Sequence, residues 1–254
     1  MRGPVDIVME INIKIFSLIK KFIFELYKQF FNLINNILFF FHIKKKIIIS
    51  IEGNIGSGKS TMLNLIKEKY SKEYYYCDEP VNEWINIEGC NLLALFYENK
   101  ERWSYTFQNF VFITRINSLK NGLKSNKNYI ITERSILTDK NIFAKMLHDQ
   151  NYINKMEFYM YNKWFDIFSI KINKIIYIKT DVNNCNLRIN IRDREGENKI
   201  EESYLEKLEE YHDNWILNKY NNIEYLILDG NKDFINNNKI KNLYLEKVSK
   251  FIKN

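Results

Sequence analysis

The segment Ile47–Thr61, IIISIEGNIGSGKST, constrains the fold more than any other part of the chain. A β-branched apolar run leads into a glycine-rich turn that reads G-x-x-x-x-G-K-S, and a helical pattern follows. In this context the motif binds a nucleotide phosphate through backbone N–H groups and the positive end of the helix, with Lys59 on the β- and γ-phosphates and Ser60 on Mg2+. A plain glycine turn is the alternative. The predicted phosphate-binding residues are Gly53, Asn54, Ile55, Gly56, Ser57, Gly58, Lys59, Ser60 and Thr61.

Composition places the chain among globular proteins of a reducing compartment. It has 254 residues, 46% of them hydrophobic, and only two prolines, which suits one large α/β domain. The cysteines Cys77, Cys90 and Cys185 are scattered and give neither a disulfide framework nor a metal-binding pattern. The net charge is +7, but residues 1–46 carry eight Lys or Arg and three Asp or Glu, so most of the excess lies near the N-terminus. A nucleic-acid partner needs a basic face on the folded domain and is therefore not expected.

Residues 1–45 are expected to form an extension that precedes a domain at residues 46–254. Apolar residues recur in the extension at nearly helical spacing. Its charge-free stretch Gln29–Ile43 has 15 residues, short of the ~20 apolar residues of a spanning helix. Three interpretations stay open: an amphipathic helix in contact with a membrane surface, a targeting segment, or a poorly ordered leader. We expect a cytoplasmic protein, and the extension leaves a mitochondrial or membrane-associated location as alternatives.

From Lys46 onward, strand and helix patterns alternate, which predicts parallel β-α-β units in one doubly wound α/β sheet flanked by helices. Ligands of such sheets bind at the carboxyl ends of the strands. Strands are predicted at Ile47–Glu52, Tyr74–Asp78, Tyr129–Thr132, Ile175–Lys179 and Glu224–Leu228. Helices are predicted at residues 60–70, 92–123, 139–149, 153–169, 183–191, 203–219 and 236–252.

Charged residues follow the predicted strands at the edge where ligands bind. Glu79 comes after the second strand and precedes a proline that keeps its backbone extended, so it is the candidate general base for phosphoryl transfer to a hydroxyl. After the third strand, Arg134 can contact phosphate with two N–H groups, and Glu133 can hold Mg2+ or a magnesium-bound water. A solvated turn carboxylate and a structural ion pair are the respective alternatives.

Two further patterns indicate a lid and a base-reading helix. Arg188, Arg192 and Arg194 stand beside a polar, glycine-containing loop and suit a mobile lid over phosphates, with a solvated basic face as the alternative. Further upstream, Gln108 and Arg115 lie two turns apart on one face of a predicted helix. A glutamine amide among aromatic residues can read the edge of a base with one donor and one acceptor. An exposed glutamine without such a role is the alternative.

Together these motifs resemble the deoxynucleoside kinases of the deoxycytidine and deoxyguanosine kinase type, from about Lys46 to the C-terminus. The resemblance implies a P-loop NTPase-like three-layer αβα fold with a five-stranded parallel sheet and an Arg-rich lid. It also implies ATP as phosphate donor, Mg2+, a deoxynucleoside substrate, and a homodimer formed through the helices at 92–123 and 153–169. The motifs are GNIGSGKST at 53–61, EPVxxW at 79–84, FY at 96–97, RWSYTFQ at 102–108, ERS at 133–135, RxxxRxR at 188–194 and DxxxDF at 229–234.

The resemblance implies roles for single residues. Glu79 looks like the base that activates the substrate 5′-hydroxyl, and Arg134 looks like its partner near the phosphates. Tyr97 and Glu197 look like the pair that binds the 3′-hydroxyl. The other implied positions are Lys59, Arg192 and Arg194 at the ATP phosphates, Glu133 at the Mg2+ site, Gln108 as base reader, Trp84, Phe107 and Phe143 around the base, Arg188 and Phe234 beside the donor adenine, and Asp233 in the adenine loop.

Arg115 and Asp139 bear on which base is bound. Family members that act on deoxycytidine and purine deoxynucleosides resemble this sequence at these positions, whereas members that prefer thymidine have apolar or small residues there. An anionic Asp139 held by Arg115 accepts a hydrogen bond from an exocyclic amine but repels the thymine carbonyl. We therefore expect deoxycytidine and deoxyadenosine slightly ahead of deoxyguanosine, and thymidine last.

Other functions share the phosphate loop. A GTPase-type switch needs a guanine-reading N-K-x-D after a strand, and the sequence has none. A membrane-attached, catalytically silent nucleotide-binding module is suggested by the extension, but intact Lys59, Glu79 and Arg134 argue against silence. A P-loop kinase of the nucleoside monophosphate type is a further alternative.

Overall fold

The computed structural model describes residues 18–31, 33–34, 46–218 and 222–254. The chain divides into two units, residues 1–45 and 46–254. In the first unit, residues 18–31 are helical and their large apolar side chains are exposed, among them Phe22, Phe24 and Phe30. Within the described ranges, we find no helix with the length and apolarity needed to span a bilayer. Most of the charge-free stretch Gln29–Ile43 lies outside the described residues.

The second unit is built on five parallel strands, as the sequence predicts. Their order in the sheet is β2-β3-β1-β4-β5. Isoleucine-rich, β-branched runs make the central strands suited to burial on both faces. Ile51 pairs with Glu133 of the neighbouring strand, so the phosphate loop and the ERS motif leave the sheet at the same edge. The strands are β1 (Ile47–Glu52), β2 (Tyr75–Cys77), β3 (Tyr129–Glu133), β4 (Lys174–Lys179) and β5 (Glu224–Asp229).

Helices cover both faces of the sheet and give the expected three layers. Ten α-helices are present among the described residues of this unit, together with a π-helical stretch at Asp139–Ala144 and a 3-10 turn at Glu197–Lys199. They are α1 (Lys59–Lys69), α2 (Val81–Ile85), α3 (Leu92–Glu98), α4 (Lys100–Lys124), α5 (Ile136–Thr138), α6 (Lys145–Asp149), α7 (Lys155–Phe168), α8 (Val182–Arg192), α9 (Glu202–Ile216) and α10 (Asn238–Lys253).

The long helix predicted at 92–123 is wrong in one respect, because it is two helices. Asn99 interrupts it with extended backbone angles, φ −143° and ψ 87°. Its side chain accepts a hydrogen bond from the backbone N–H of Arg102 over 3.0 Å and so caps α4. Apolar spacing continues across this break, which is why periodicity alone joined α3 to α4. The short helices α2 and α5 also went unpredicted, because they are too brief to show a helical period.

Two buried clusters hold the layers together. One packs α1 and α10 on the sheet and includes Ile49, Leu63, Ile176 and Val248. The other lies under the phosphate loop and contains Ile55, Ile142, Met146, Ile189, Leu205 and Leu208. The second cluster joins the loop to the π-helical stretch and to α9, so the edge that carries the charged motifs rests on a packed base.

Candidate active site

The phosphate loop has the backbone geometry that the motif requires. Gly53 and Gly56 have φ of 146° and 76°, in the left-handed region that favours glycine. A Cβ on Gly53 would lie 2.5 Å from the carbonyl oxygen of Ile178, and one on Gly56 would collide with the carbonyl of Cys185. Close approach to β4 and α8, as well as backbone angle, therefore demands glycine at both positions.

Lys59 begins α1 and is buried, with its Nζ donating to the carbonyl of Asn54 over 2.6 Å. Burial, and then the positive charge of Arg134, lower the pKa of Lys59 to about 7, against the opposing charges of Glu133 and Glu79. The lysine is thus held in a pocket where phosphate oxygens would compensate for its lost solvation.

The two predicted metal ligands, Ser60 and Glu133, lie next to each other. The Ser60 Oγ donates to Glu133 Oε1 over 2.6 Å, which places two hard oxygen donors side by side. Burial, and then the charge of Glu79, raise the pKa of Glu133. Among the described residues there is no group of three His, Cys, Asp or Glu side chains able to hold a metal. An oxygen pair of this kind fits Mg2+, which keeps several waters and takes further ligands from phosphates.

Glu79 lies between two buried guanidinium groups. Its Oε1 is 3.2 Å from Arg134 Nε and 3.3 Å from Arg115 Nη2. Burial alone raises the pKa of this carboxyl, but Arg134, Arg115 and Lys59 outweigh burial and bring it to about 2. Glu79 is therefore an anion throughout the physiological range.

Arg134 has an unusual backbone. Its φ of 59° is left-handed, and Arg134 is one of four non-glycine residues with positive φ in the described chain. Its N–H donates to the carbonyl of Ile51 over 3.0 Å, and its Nη1 donates to the carbonyl of Gly53 over 2.6 Å. The guanidinium also lies 5.1 Å from the ring centre of Phe143. These contacts hold a costly conformation and aim the side chain at the edge of the phosphate loop.

The predicted base pocket is lined from α4 and the π-helical stretch. Arg115 Nε donates to Asp139 Oδ2 over 2.9 Å, and both residues are buried. Asp139 Oδ1 and Gln108 Oε1 are buried without a hydrogen-bond partner among the described residues. Burial raises the pKa of Asp139 to about 6, although Arg115 opposes the shift. Two unsatisfied acceptors at one cavity call for donors from a ligand.

Aromatic rings form the walls of this pocket. Phe107 stacks on Phe96 with 4.8 Å between ring centres and meets Trp84 edge-on at 5.8 Å. Trp84 is anchored by its Nε1, which donates to Thr114 Oγ1 over 3.0 Å. Trp84, Phe107 and Phe143 line the cavity together with Gln108, so this slot has apolar rings beside a polar amide.

The lid arginines are paired with Glu197. Arg192 Nη2 lies 2.6 Å and Arg194 Nη1 lies 3.0 Å from its carboxylate oxygens. Glu197 itself is buried and faces the same cavity as Tyr97. In this arrangement both guanidinium groups are engaged by one carboxylate, so Glu197 fixes the position of the lid. The same residue borders the expected sugar site.

The residues expected near the donor adenine, Arg188, Asp233 and Phe234, line the same cavity, and Arg188 and Phe234 lie beside Gly58 of the phosphate loop. Arg188 Nη2 donates to the carbonyl of Gly230 over 2.8 Å, and the Phe234 ring lies 3.0 Å from where a Cβ on Gly58 would stand. Asp233 caps its own turn by accepting from the N–H groups of Ile235 and Asn236. Asp233 therefore shapes the loop beside the cavity.

A single cavity of about 830 Å³ collects nearly all of the predicted residues. Gly53, Asn54 and Ser57 do not line it. Asn54 instead ties the loop to α9 by donating to the carbonyl of Leu205 over 2.8 Å. Sequence reasoning missed Leu93, Leu187 and Ile191 in the lining, because single apolar residues on helices carry no chemical signal. It also missed Glu52, a buried carboxylate directly before Gly53.

Comparisons with known proteins agree with this geometry. The profile of the family described as "Deoxynucleoside kinase" matches residues 49–253. Fowlpox virus (strain NVSL) "Probable deoxycytidine kinase FPV151" is 39% identical over 212 residues, covering 80% of this chain and 87% of the relative. Human deoxycytidine kinase is 35% identical over 238 residues (80% and 90%), and mitochondrial deoxyguanosine kinase of Xenopus laevis is 33% identical over 236 residues (80% and 89%). The chain therefore belongs to the deoxynucleoside kinase family and is an ATP-dependent kinase.

Proposed function

We propose that this kinase transfers the γ-phosphate of ATP to the 5′-hydroxyl of a deoxynucleoside whose base carries an exocyclic amine, and so serves nucleotide salvage. Deoxycytidine and deoxyadenosine rank first, deoxyguanosine next and thymidine last. The observation that carries the proposal is the pair of unsatisfied buried acceptors, Gln108 Oε1 and Asp139 Oδ1, whose residues line one cavity together with aromatic rings. The relatives named as deoxycytidine kinases support deoxycytidine as a substrate.

Discrimination follows from those acceptors. An amine donates to Asp139, whereas the thymine carbonyl would face a carboxylate and leave it unpaired. A buried polar group without a partner costs ~1–3 kcal/mol. Because Arg115 is fully engaged with its acceptors, it cannot swing to meet the carbonyl without abandoning them.

In the proposed chemistry, Glu79 accepts the proton of the 5′-hydroxyl as the γ-phosphate is transferred. Two arginines keep Glu79 ionised, so it stands ready as an acceptor. Because the transition state of phosphoryl transfer is loose, the proton leaves late and a weakly basic carboxylate suffices. Lys59 and Arg134 face the transferring oxygens, and opening of the Glu197 pairs lets Arg192 and Arg194 join them.

Ser60 and Glu133 are proposed to hold Mg2+ at the donor phosphates. The ion, when bound, neutralises charge on the β- and γ-oxygens. The Ser60–Glu133 hydrogen bond keeps the two ligands together beforehand.

Tyr97 and Glu197 are proposed to bind the 3′-hydroxyl of the sugar. Both border the cavity, and the ring centre of Tyr97 lies 5.0 Å from that of Phe96, which supports a sugar site next to the base slot. Since Glu197 also holds both lid arginines, sugar binding and lid position share one residue.

A homodimer is proposed through α4 and α7. Ile113, Met156, Trp164 and Ile167 expose between 46% and 67% of their surface on these helices. A groove of about 480 Å³ lies between the two helices and includes Phe110 and Phe168 in its lining. A second copy of this chain would cover such a face. Sedimentation equilibrium should give twice the chain mass, and Trp164→Glu should give the monomer.

For the extension we propose contact with an anionic membrane surface. Helical residues 18–31 expose Phe22, Phe30 and other large apolar side chains, and the same helix carries Lys20, Lys21 and Lys28. Binding to vesicles that contain phosphatidylserine, lost in a Phe22→Asp and Phe30→Asp variant, tests this contact. A cytoplasmic location remains our proposal for the kinase.

ATP consumption by the full-length protein, measured separately with the four natural deoxynucleosides, tests the proposed function. We expect turnover with deoxycytidine or deoxyadenosine well above that with thymidine. Thymidine as best acceptor would contradict the ranking. Turnover only with nucleoside monophosphates, or with no acceptor, would instead favour the alternative kinase or the silent module.

A further inference from the structure

Glu52 is a buried carboxylate without a place in the mechanism above. It is the last residue of β1, fully shielded from solvent, and directly precedes the phosphate loop. Three hydroxyl groups donate to it: Ser50 Oγ and Ser135 Oγ to Oε1, the latter over 2.7 Å, and Thr138 Oγ1 to Oε2. A buried charge is costly unless it is hydrogen-bonded, and charge-assisted bonds are stronger than neutral ones.

Two of those donors stand next to functional residues. Ser135 directly follows Arg134, which contacts Glu79, and Thr138 directly precedes Asp139, which contacts Arg115. Through Ser135 and Thr138, Glu52 therefore holds the segment 134–139 near both of its ends. The Ser135–Glu52 hydrogen bond also lies next to the left-handed backbone of Arg134, a conformation that persists only when its surroundings hold it.

We propose that Glu52 is a positioning residue that fixes segment 134–139 relative to the phosphate loop, so that turnover and base selectivity depend on one buried carboxylate. The ERS end sets where Arg134 meets Glu79. The Thr138 end sets where Asp139 faces the base. Only the selectivity half rests on the proposed base recognition; the turnover half needs only that the protein is a kinase.

Glu52→Gln is the primary test, because it keeps size and burial while one acceptor oxygen becomes an N–H2 donor. The carboxylate then loses its charge, and at least one hydroxyl must reverse its bond. We expect kcat with the best deoxynucleoside to fall about tenfold or more, since small misplacements of catalytic groups have large effects on rate. KM for ATP should stay within about twofold, because the phosphate-loop backbone is unchanged.

Thr138 variants test the selectivity half. Thr138→Val is nearly isosteric but removes the donor, so the thymidine-to-deoxycytidine ratio of kcat/KM should rise several-fold. Thr138→Ser keeps the hydroxyl and should restore the original ratio. In the Glu52→Gln background, Thr138→Val should add little, because the bond it removes is already weakened.

Ser50→Ala is the matched control, since Ser50 donates to the same carboxylate but lies on β1, away from segment 134–139. It should leave kcat and selectivity unchanged. The proposal is overturned if Glu52→Gln and Thr138→Val lower the melting temperature while kcat and the ratio stay as in the original protein. A wild-type protein with no base preference would instead refute the proposed recognition and leave the kcat result to decide the role of Glu52.

Discussion

Arg115 joins Asp139 to Glu79. Its Nε donates to Asp139 Oδ2 over 2.9 Å, while its Nη2 lies 3.3 Å from Glu79 Oε1. A third bond runs from Nη1 to the carbonyl of Glu133 over 2.7 Å. Arg115, which is expected to hold Asp139 towards the nucleobase, thus also holds Glu79, the expected general base. A change made for selectivity will therefore reach the reaction centre.

Replacing the pair, Arg115→Met with Asp139→Ala, should raise the thymidine-to-deoxycytidine ratio of kcat/KM, because the opposing carboxylate is gone. Absolute kcat should fall with every substrate, since Glu79 loses one of its cations. Asp139→Ala alone should be less stable than the double variant, because it leaves the buried Nε of Arg115 without its acceptor, and a buried polar group without a partner costs ~1–3 kcal/mol. Steady-state kinetics and melting temperatures check these outcomes.

The surface pair Lys145→Met with Asp149→Ala is the control for that experiment, because its atoms form an ion pair of 2.7 Å at an exposed site. We expect no change in the substrate ratio there. A ratio that also stays constant in the buried double variant would mean that Arg115 and Asp139 only brace the fold.

Glu79→Gln should collapse turnover by ~10²–10⁴ while ATP still binds, because the amide cannot accept the hydroxyl proton. Single-turnover kinetics and calorimetric ATP titration separate the two effects. The neighbouring Asp78 is exposed and paired with Lys67 at 2.9 Å, so Asp78→Asn is the control and should be nearly silent. Near-normal kcat in Glu79→Gln would remove this carboxylate from the mechanism.

Deletion of residues 1–44 should leave a folded, active kinase, because the sheet, both core clusters and the cavity all lie in residues 46–254. Circular dichroism and ATP consumption test this, with the full chain as reference. A truncated protein that aggregates or loses its cooperative melt would show that the extension contributes to the core.

The sheet and the positions of the charged motifs were predictable from the sequence, because β-branched runs and strand ends are local signals. Ile47–Glu52 and Glu224–Asp229 illustrate this, being predicted to within one residue. The break at Asn99 was not predictable, since apolar spacing continues across it. Lys59, Glu79 and Arg134 received candidate roles from the phosphate-loop motif and from positions after strands. The roles of Tyr97 and Glu197 came only from the resemblance to a family, because spacing does not say which side chains meet.

The sequence alone does not show which side chains pair across the fold. Nothing local tells that Arg115 reaches Glu79, or that Glu197 holds both lid arginines. Glu52 shows the same limit more sharply. It reads as the polar end of a strand, and only the approach of Ser135 and Thr138 from another segment makes it a buried acceptor.

The acid limb of the pH profile should come from Asp139. Burial raises its pKa to about 6, whereas that of Glu79 is about 2, so between pH 5 and 8 only Asp139 of the two changes charge. Below pH ~6 the protonated carboxyl of Asp139 no longer accepts a hydrogen bond from an amine as the anion does. The kcat/KM for deoxycytidine should therefore decrease as the pH is lowered. In Asp139→Asn this limb should be absent. An unchanged limb in that variant would assign it to another group.

Stability should move in the opposite direction with pH. The folded pKa of Asp139 lies above the unfolded value of ~3.9, so the folded state binds more protons between pH ~4 and ~6. The stabilising effect of the protonated carboxyl is therefore full below pH ~4 and is lost as pH rises through about 6. Melting temperatures of the wild type relative to Asp139→Asn should decline across that window, while kcat/KM for deoxycytidine climbs. A difference that rises with pH would show that Arg115 lowers the pKa of Asp139 more than burial raises it.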